Sequence, residues 1–336
     1  TLETGERFLS DLLDKRPKEI PGEVAFKLYE TYGFPVELTR EIALKQGVAL
    51  DEQGFETARK NAQDTAKAGW KDSGEKNAFI FQAAEQKFPA TVFLGYDSVS
   101  AEARILGLLD LDGNPADFIS AGAEGYAVLD RTPFYAESGG QVGDTGVLSA
   151  GDKVLAAILD VQKPAEKVFF HRFKTGAGLK TGAMVTAGVS GLRSRIAANH
   201  TAVHVVNAAL KKVFGPGTRQ AGSIVTPEKF RFDYTIAKTP TAAELDKIEN
   251  MANAAIAGGY KVFKMERPLA DAGKFGAVTL LGEKYADPAR FVLINKGGWD
   301  SAGDHYSLEL CGGTHIDELA RLMVIKILKD SAVSRG

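Results

Sequence analysis

Two short segments of the 336-residue sequence carry side chains able to grip a metal ion, His200-Thr201-Ala202-Val203-His204 and Cys311-Gly312-Gly313-Thr314-His315. On a helix, residues four apart project from the same side, so His200 and His204 can reach one ion together. Cys311 and His315 repeat that spacing, with two glycines that let the backbone turn tightly around a ligand. The chain has one cysteine and five histidines, so an internal disulfide is excluded and four of its six imidazole or thiol groups fall in these pairs. The histidine pair alone is compatible with satisfied core imidazoles; the two pairs together supply three nitrogens and one sulfur, a set that tetrahedral Zn²⁺ accepts readily. Four protein ligands normally close a site, so a purely structural zinc stays open beside a catalytic one. The zinc-protease pattern is excluded, because Thr201, Ala202 and Val203 stand where it keeps a glutamate base. Any hydrolysis takes its base from elsewhere, which suits a scissile bond, such as an activated ester, that needs only an oriented and polarised water.

These side chains need a scaffold. The spacing of Ile196, Val203, Leu210 and Phe214 predicts a helix from about Ser194 to Phe214, with both histidines at the border of its apolar stripe. A second helix opens with the capping box Thr241-Ala242-Ala243-Glu244, closes at Gly258-Gly259, and buries Leu245, Ile248, Ala252 and Ile256. Strand-like runs at Phe230–Tyr234, Tyr260–Met265, Phe291–Ile294 and Met323–Leu328 make residues 191–336 an antiparallel sheet with packed helices. Upstream, over 88–190, the period becomes two: Arg104–Leu109, Tyr126–Leu129, Val154–Val161, Val168–Phe173 and Met184–Val189, with a hairpin signal at Asp112-Gly113. A small β-barrel or sandwich is expected. The run Phe134–Gly146 holds four glycines within eight residues; lacking a lysine and a strand-to-helix context, it reads as tight turns rather than a phosphate loop. Residues 1–80 read as helices, one over Glu23–Tyr32 stopped by Gly33 and Pro35, others near 37–47 and 51–68, before Trp70 and a Ser73-Gly74 break. The fold class is therefore α+β, in three domains: 1–80, 88–190 and 191–336.

Composition is ordinary, 44% hydrophobic with a formal charge of −2. No apolar run approaches the roughly 18 residues of a membrane helix and no signal peptide opens the chain, so the expected location is the cytoplasm. Between Arg193 and Arg231 seven basic residues face one acidic residue, Glu228, a local field suited either to a polyanion or to a solvated helix flank. An opening without Met suggests a piece of a longer polypeptide.

Four stretches resemble the alanyl-tRNA synthetases, in family order and across nearly the whole chain: Ala25–Pro35, Phe134–Gly146, Asn199–His204 and Leu310–His315. Gly282-Glu283-Lys284-Tyr285 is similar to the family as well. The resemblance implies an editing unit that removes serine or glycine wrongly attached to tRNA(Ala), preceded by the end of a tRNA-recognition region. It implies zinc on His200, His204, Cys311 and His315, and a pocket position at Gln220. Arg193, Arg195 and Arg219 would meet acceptor-end phosphates, and Glu37 stands where the family often has an aspartate that helps read the acceptor stem. The family's ATP-dependent aminoacylation domain has no counterpart in this sequence, and Val203 replaces the threonine usual before the second histidine. A tRNA-binding module with structural zinc, and a free-standing trans-editing deacylase, are the alternative readings.

Overall fold

Apolar residues at helical spacing organise the first part of the chain. In the computed structural model, residues 2–14, 17–32, 36–58, 81, 85–164, 167–236, 238–279 and 285–331 are described; the chain divides into one compact unit of Thr1–Ala78 with Asp330–Gly336 and another of Phe79–Lys329. In the first unit, α1 (Leu2–Leu13), α2 (Gly22–Tyr32) and α3 (Val36–Lys45) surround a core of Leu9, Leu13, Ile20, Ala25, Leu28, Ala43 and Phe55. A two-residue parallel ladder, β1 (Glu19–Ile20) against β2 (Ala49–Leu50), ties the helices together. Glu37 lies in α3. The expected helix near 51–68 is described only as far as Ala58. Trp70, the Ser73-Gly74 break and Gly282-Glu283-Lys284 lie outside the described residues.

The second unit begins with the period-two region, and alternation closes it into a barrel. Beyond a short parallel ladder of β3 (Val92–Phe93) with a later strand, the wall is built from β4 (Ser100–Leu109), β7 (Glu124–Leu129), β9 (Gly146–Ala150), β10 (Lys153–Gln162), β11 (Phe170–Thr175) and β13 (Met184–Val189). Their order is β13-β9-β10-β11-β7-β4, all antiparallel, and β13 pairs again with β4, so the sheet has no free edge among these six. The small pieces β5 (Pro115–Ala116), β6 (Phe118–Ile119), β8 (Arg131–Thr132) and β12 (Leu179–Lys180) dress the rims. Asp112-Gly113 does form the turn between β4 and β5, with Gly113 at φ 85°. Strand β7 is buried on both faces, since Ala127 and Leu129 join the barrel interior while Tyr126 and Val128 pack outside it beneath Phe81 and Phe170.

After the barrel comes α4 (Leu192–Phe214), then the hairpin β14 (Arg219–Val225) with β15 (Phe230–Thr235), then α5 (Ala242–Ala257). The Thr241–Glu244 capping box is present in both directions. A three-stranded antiparallel sheet follows: β16 (Lys261–Arg267), β17 (Ala289–Asn295) and β18 (Ser307–Leu310), with the short α6 (Asp271–Phe275) between the first two. One face of the sheet, through Val262, Val292 and Ile294, packs on α4 and α5; the other, through Phe291, Leu293, Leu308 and Leu310, covers a second cluster with Ala272 and Ala302. Two expectations are corrected. Phe230–Tyr234 belongs to a separate two-stranded hairpin, and Met323–Leu328 is not a strand. Asn253 of α5 satisfies Ile325 N and O at 2.8 and 2.9 Å, and Glu249 takes Ile327 N at 2.7 Å, so helix side chains bind the ladder groups a strand would need. The third strand is Ser307–Leu310, which runs directly into Cys311.

Candidate metal centre

Helix α4 is enclosed from Ile196 to Leu210 by the barrel loops, the hairpin and the sheet, so its histidines are buried rather than bordering a stripe; His200 and His204 are each 4% exposed. Their rings stack one turn apart, 5.6 Å between centroids and 9° from parallel. Strand β18 delivers Cys311, and the glycine turn brings His315 back beside it. One ligand atom from each of His200, His204, Cys311 and His315 lies within 4.8 Å of the others. Cys311 Sγ stands 3.4 Å from both His200 Nε2 and His315 Nε2. Zinc bonds of about 2.3 Å to sulfur and about 2.0–2.1 Å to nitrogen, at a tetrahedral angle, set N···S near 3.6 Å. The donor set and its spacing thus fit a zinc ion.

Each imidazole is also held from behind. Gln141 Oε1 faces His200 Nδ1 at 2.8 Å, Glu309 Oε2 faces His204 Nδ1 at 2.7 Å, and Thr201 Oγ1 faces His315 Nδ1 at 3.2 Å. The acceptors at His200 Nδ1 and His315 Nδ1 favour the tautomer that leaves Nε2 free to ligate, while Glu309 meets His204 as an ion pair. Neither ring nitrogen of His204 has a partner in hydrogen-bond geometry among the described residues, so its Nε2 is unengaged. Glu309 is itself anchored, accepting from Asn207 and Ser307 at 3.0 Å each.

Electrostatics favour a deprotonated sulfur. Burial works against the Cys311 thiolate, but the neighbouring His200 and His315 outweigh it and hold the thiol well below 9.0. Burial likewise pushes His204 down, and Glu309 more than reverses it, to about 10. His315 sits well below 6.5, chiefly through burial. The turn between Cys311 and His315 has no room for a larger residue: a Cβ on Gly313 would lie 2.0 Å from His200 Cε1. Arg290 donates to Cys311 O and Gly313 O at 3.0 and 2.8 Å while stacking on Tyr96, whose hydroxyl donates to Gly312 O at 2.6 Å. A barrel residue and a sheet residue therefore clamp the ligand turn.

The other sequence-predicted residues do not join the cluster. Gln220 lies on β14, half-buried, its amide donating to Ser223 Oγ at 3.3 Å. Arg195 and Arg219 are exposed, on the first turn of α4 and on β14. Arg193 is a correction: it is 7% exposed, and its guanidinium pairs with Asp144 through Nε at 2.8 Å and donates to Gly95 O and Pro133 O at 2.8 and 3.0 Å. A guanidinium engaged by four buried oxygens is not available to a phosphate; it ties α4 to the barrel. Sequence reading missed Gln141, Glu309, Thr201, Tyr96 and Arg290. Glu309 left a signal, since it sits two residues before Cys311 and alternation in a strand places both on one face.

The sequence profile described as tRNA synthetases class II (A) matches residues 1–193, and that of the threonyl and alanyl tRNA synthetase second additional domain matches residues 290–336. The chain is 42% identical over 337 residues, all of its length, to the alanine–tRNA ligase of Elusimicrobium minutum. It is 43% identical over 340 residues, again its whole length, to that of Synechococcus sp., and 39% identical over 94% of its length to that of Parvibaculum lavamentivorans. It covers 38%, 37% and 36% of these relatives, so it spans well under half the length of the curated proteins it matches.

Proposed function

The chain belongs to the family of class II (A) tRNA synthetases, and from that premise we propose that it is the proofreading part of an alanine–tRNA ligase, hydrolysing serine and glycine esters misattached to tRNA(Ala). The observation that carries the reading is the cluster of His200 and His204, both buried, with the half-buried Cys311 and His315, and a separate partner behind each imidazole. A pocket built for alanine cannot strongly reject the smaller glycine, nor an isostere that adds one hydroxyl, so a second hydrolytic sieve is the physical remedy. The four side chains would hold Zn²⁺, which would supply Lewis-acid polarisation of an ester carbonyl or a water. Glu309 and Thr201 stand behind His204 and His315. Arg195 and Arg219 present exposed charge to acceptor-end phosphates, and Gln220 and Glu37 keep the pocket and acceptor-stem roles that the family resemblance gives them. Val203 is packed against Ile196 and Val225, and the Thr201 hydroxyl donates to Ala197 O at 2.8 Å, so neither offers a free hydroxyl to a substrate.

On this reading the chain is one part of a longer protein that attaches alanine to tRNA with ATP, since it covers 38% of its Elusimicrobium minutum relative. It works in the cytoplasm, and among the described residues no helix is long and apolar enough to cross a membrane. The test is hydrolysis of Ser-tRNA(Ala) against Ala-tRNA(Ala) by the zinc-loaded chain, with Cys311→Ala beside it. Ser-tRNA is expected to be cleaved and Ala-tRNA spared, with cleavage lost in the variant while its melting curve stays close to that of the parent. The completeness of the four-ligand set favours one second reading, a structural zinc in a tRNA-docking module. Unfolding of Cys311→Ala, with no hydrolysis by the parent, would establish that reading instead.

A further inference from the structure

Gln141 lies in the barrel's glycine turn, far in sequence from the cluster, and its side chain is fully buried. It is not filler. Its Oε1 stands 2.8 Å from His200 Nδ1, 2.9 Å from Thr314 N and 3.2 Å from Thr314 Oγ1. An oxygen that accepts from His200 holds the imidazole proton on Nδ1 and turns the Nε2 lone pair toward Cys311 Sγ. The same oxygen, by accepting from Thr314, fixes the turn between the other two ligands. Its Nε2 has no partner among the described residues. A residue retained for packing alone would avoid a buried amide satisfied on one side only.

The backbone around Gln141 is built to hold it there. Gln141 and Ser138 exchange N–H···O bonds of 3.0 and 3.1 Å, Val142 N donates to Val225 O at 3.2 Å, and Val225 N donates to Gly140 O at 2.7 Å. Gly140 has φ +81°, and a Cβ there would lie 2.3 Å from Ser223 O. The turn is thus pressed against β14 with no freedom to slide.

We propose that Gln141 is a positioning residue of the metal centre, through which the barrel, 59 residues upstream of His200, sets the orientation and tautomer of that ligand. The proposal rests on the four-residue zinc site argued above. It separates an acceptor role from a packing role, since Gln141→Glu keeps an oxygen for His200 Nδ1–H and Gln141→Leu removes it at similar volume.

Zinc affinity of the 336-residue chain and both variants, by competition with a chromogenic chelator, is the measurement, with the visible absorption of the Co²⁺-substituted proteins as a readout of ligand orientation. Gln141→Leu should lose affinity by roughly 10- to 100-fold and shift the Co²⁺ bands, and Gln141→Glu should restore most of both. Unchanged affinity and spectrum in Gln141→Leu would overturn the proposal while leaving the zinc site standing. Equal loss in the two variants would overturn it too, as a packing effect. A parent chain that binds neither Zn²⁺ nor Co²⁺ would remove the zinc site first, and this role with it.

Discussion

Replacing Asp144 by Ala should cost more stability than any exposed ion pair could. Asp144 and Arg193 are 1% and 8% exposed at the side chain, so truncating the carboxylate leaves a guanidinium charge with only the Gly95 and Pro133 carbonyls for company. Breaking a buried pair by removing one partner costs about 3–5 kcal/mol. Asp144 also accepts from Tyr135 N at 2.7 Å, and that buried amide loses its acceptor, which places the expected cost toward the upper end. At about 2–4 °C per kcal/mol for a domain of 150–250 residues, a cost of about 5 kcal/mol means that Asp144→Ala should lower the melting temperature by about 10–20 °C. Arg193→Leu should destabilise as well, but the double variant should cost less than the two singles added, because it leaves no uncompensated charge. Thermal and denaturant melts of the four proteins complete the cycle. A single-variant loss below about 1 kcal/mol, or strict additivity, would refute the assignment of Arg193 to the interior and return it to the surface as a phosphate contact.

Two further predictions follow from neighbouring groups. His171 is fully buried in the barrel, with Nε2 2.7 Å from Thr132 Oγ1 and Nδ1 3.0 Å from Ala127 O, and burial holds it down to about 4. Because the unfolded chain protonates first, near 6.5, its contribution is whole above that pH and is lost progressively toward pH 4, by about 3 kcal/mol at about 1.4 kcal/mol per pH unit. Denaturant midpoints between pH 7 and 4.5 should fall more steeply for the parent than for His171→Leu, and parallel slopes would dismiss the effect. Gly313→Ala would drive a methyl to 2.0 Å from His200 Cε1, so zinc affinity should drop by at least about 10-fold, as for other losses of ligand orientation. Parent-like affinity in a chelator competition would show that the turn can give way.

Much of this architecture is readable from local pattern. Alternation over Arg104–Leu109 or Val154–Val161 and the capping box at Thr241 are short-range signals, and the structure follows them. The four donors were visible as types and spacings, but their meeting is not a local property. What the sequence hid were residues whose role depends on long-range placement. Gln141 sits among glycines that announce only turns. Arg193 reads as one more base in a basic run until the fold sets Asp144 against it. Ser307–Leu310 is short and holds a glutamate, so its strand character shows only through pairing with β17, whereas Met323–Leu328 has the residue types of a strand but gives its backbone groups to Asn253 and Glu249 of α5.

Consider the order in which a ribosome would release these pieces. Gln141 emerges first, the histidine pair on α4 follows, and Cys311 comes 111 residues after His200. At about 5–20 residues per second, the imidazoles wait roughly 5–20 s for their sulfur. Lengthening so long a loop adds little entropic cost, but its ends are slow to find each other, so the barrel and α4 can be in place, with the three-stranded sheet docking late as the piece that completes the pocket. If the cluster holds zinc, the two imidazoles alone would grip it weakly during that interval, and full affinity would arrive together with the last strand.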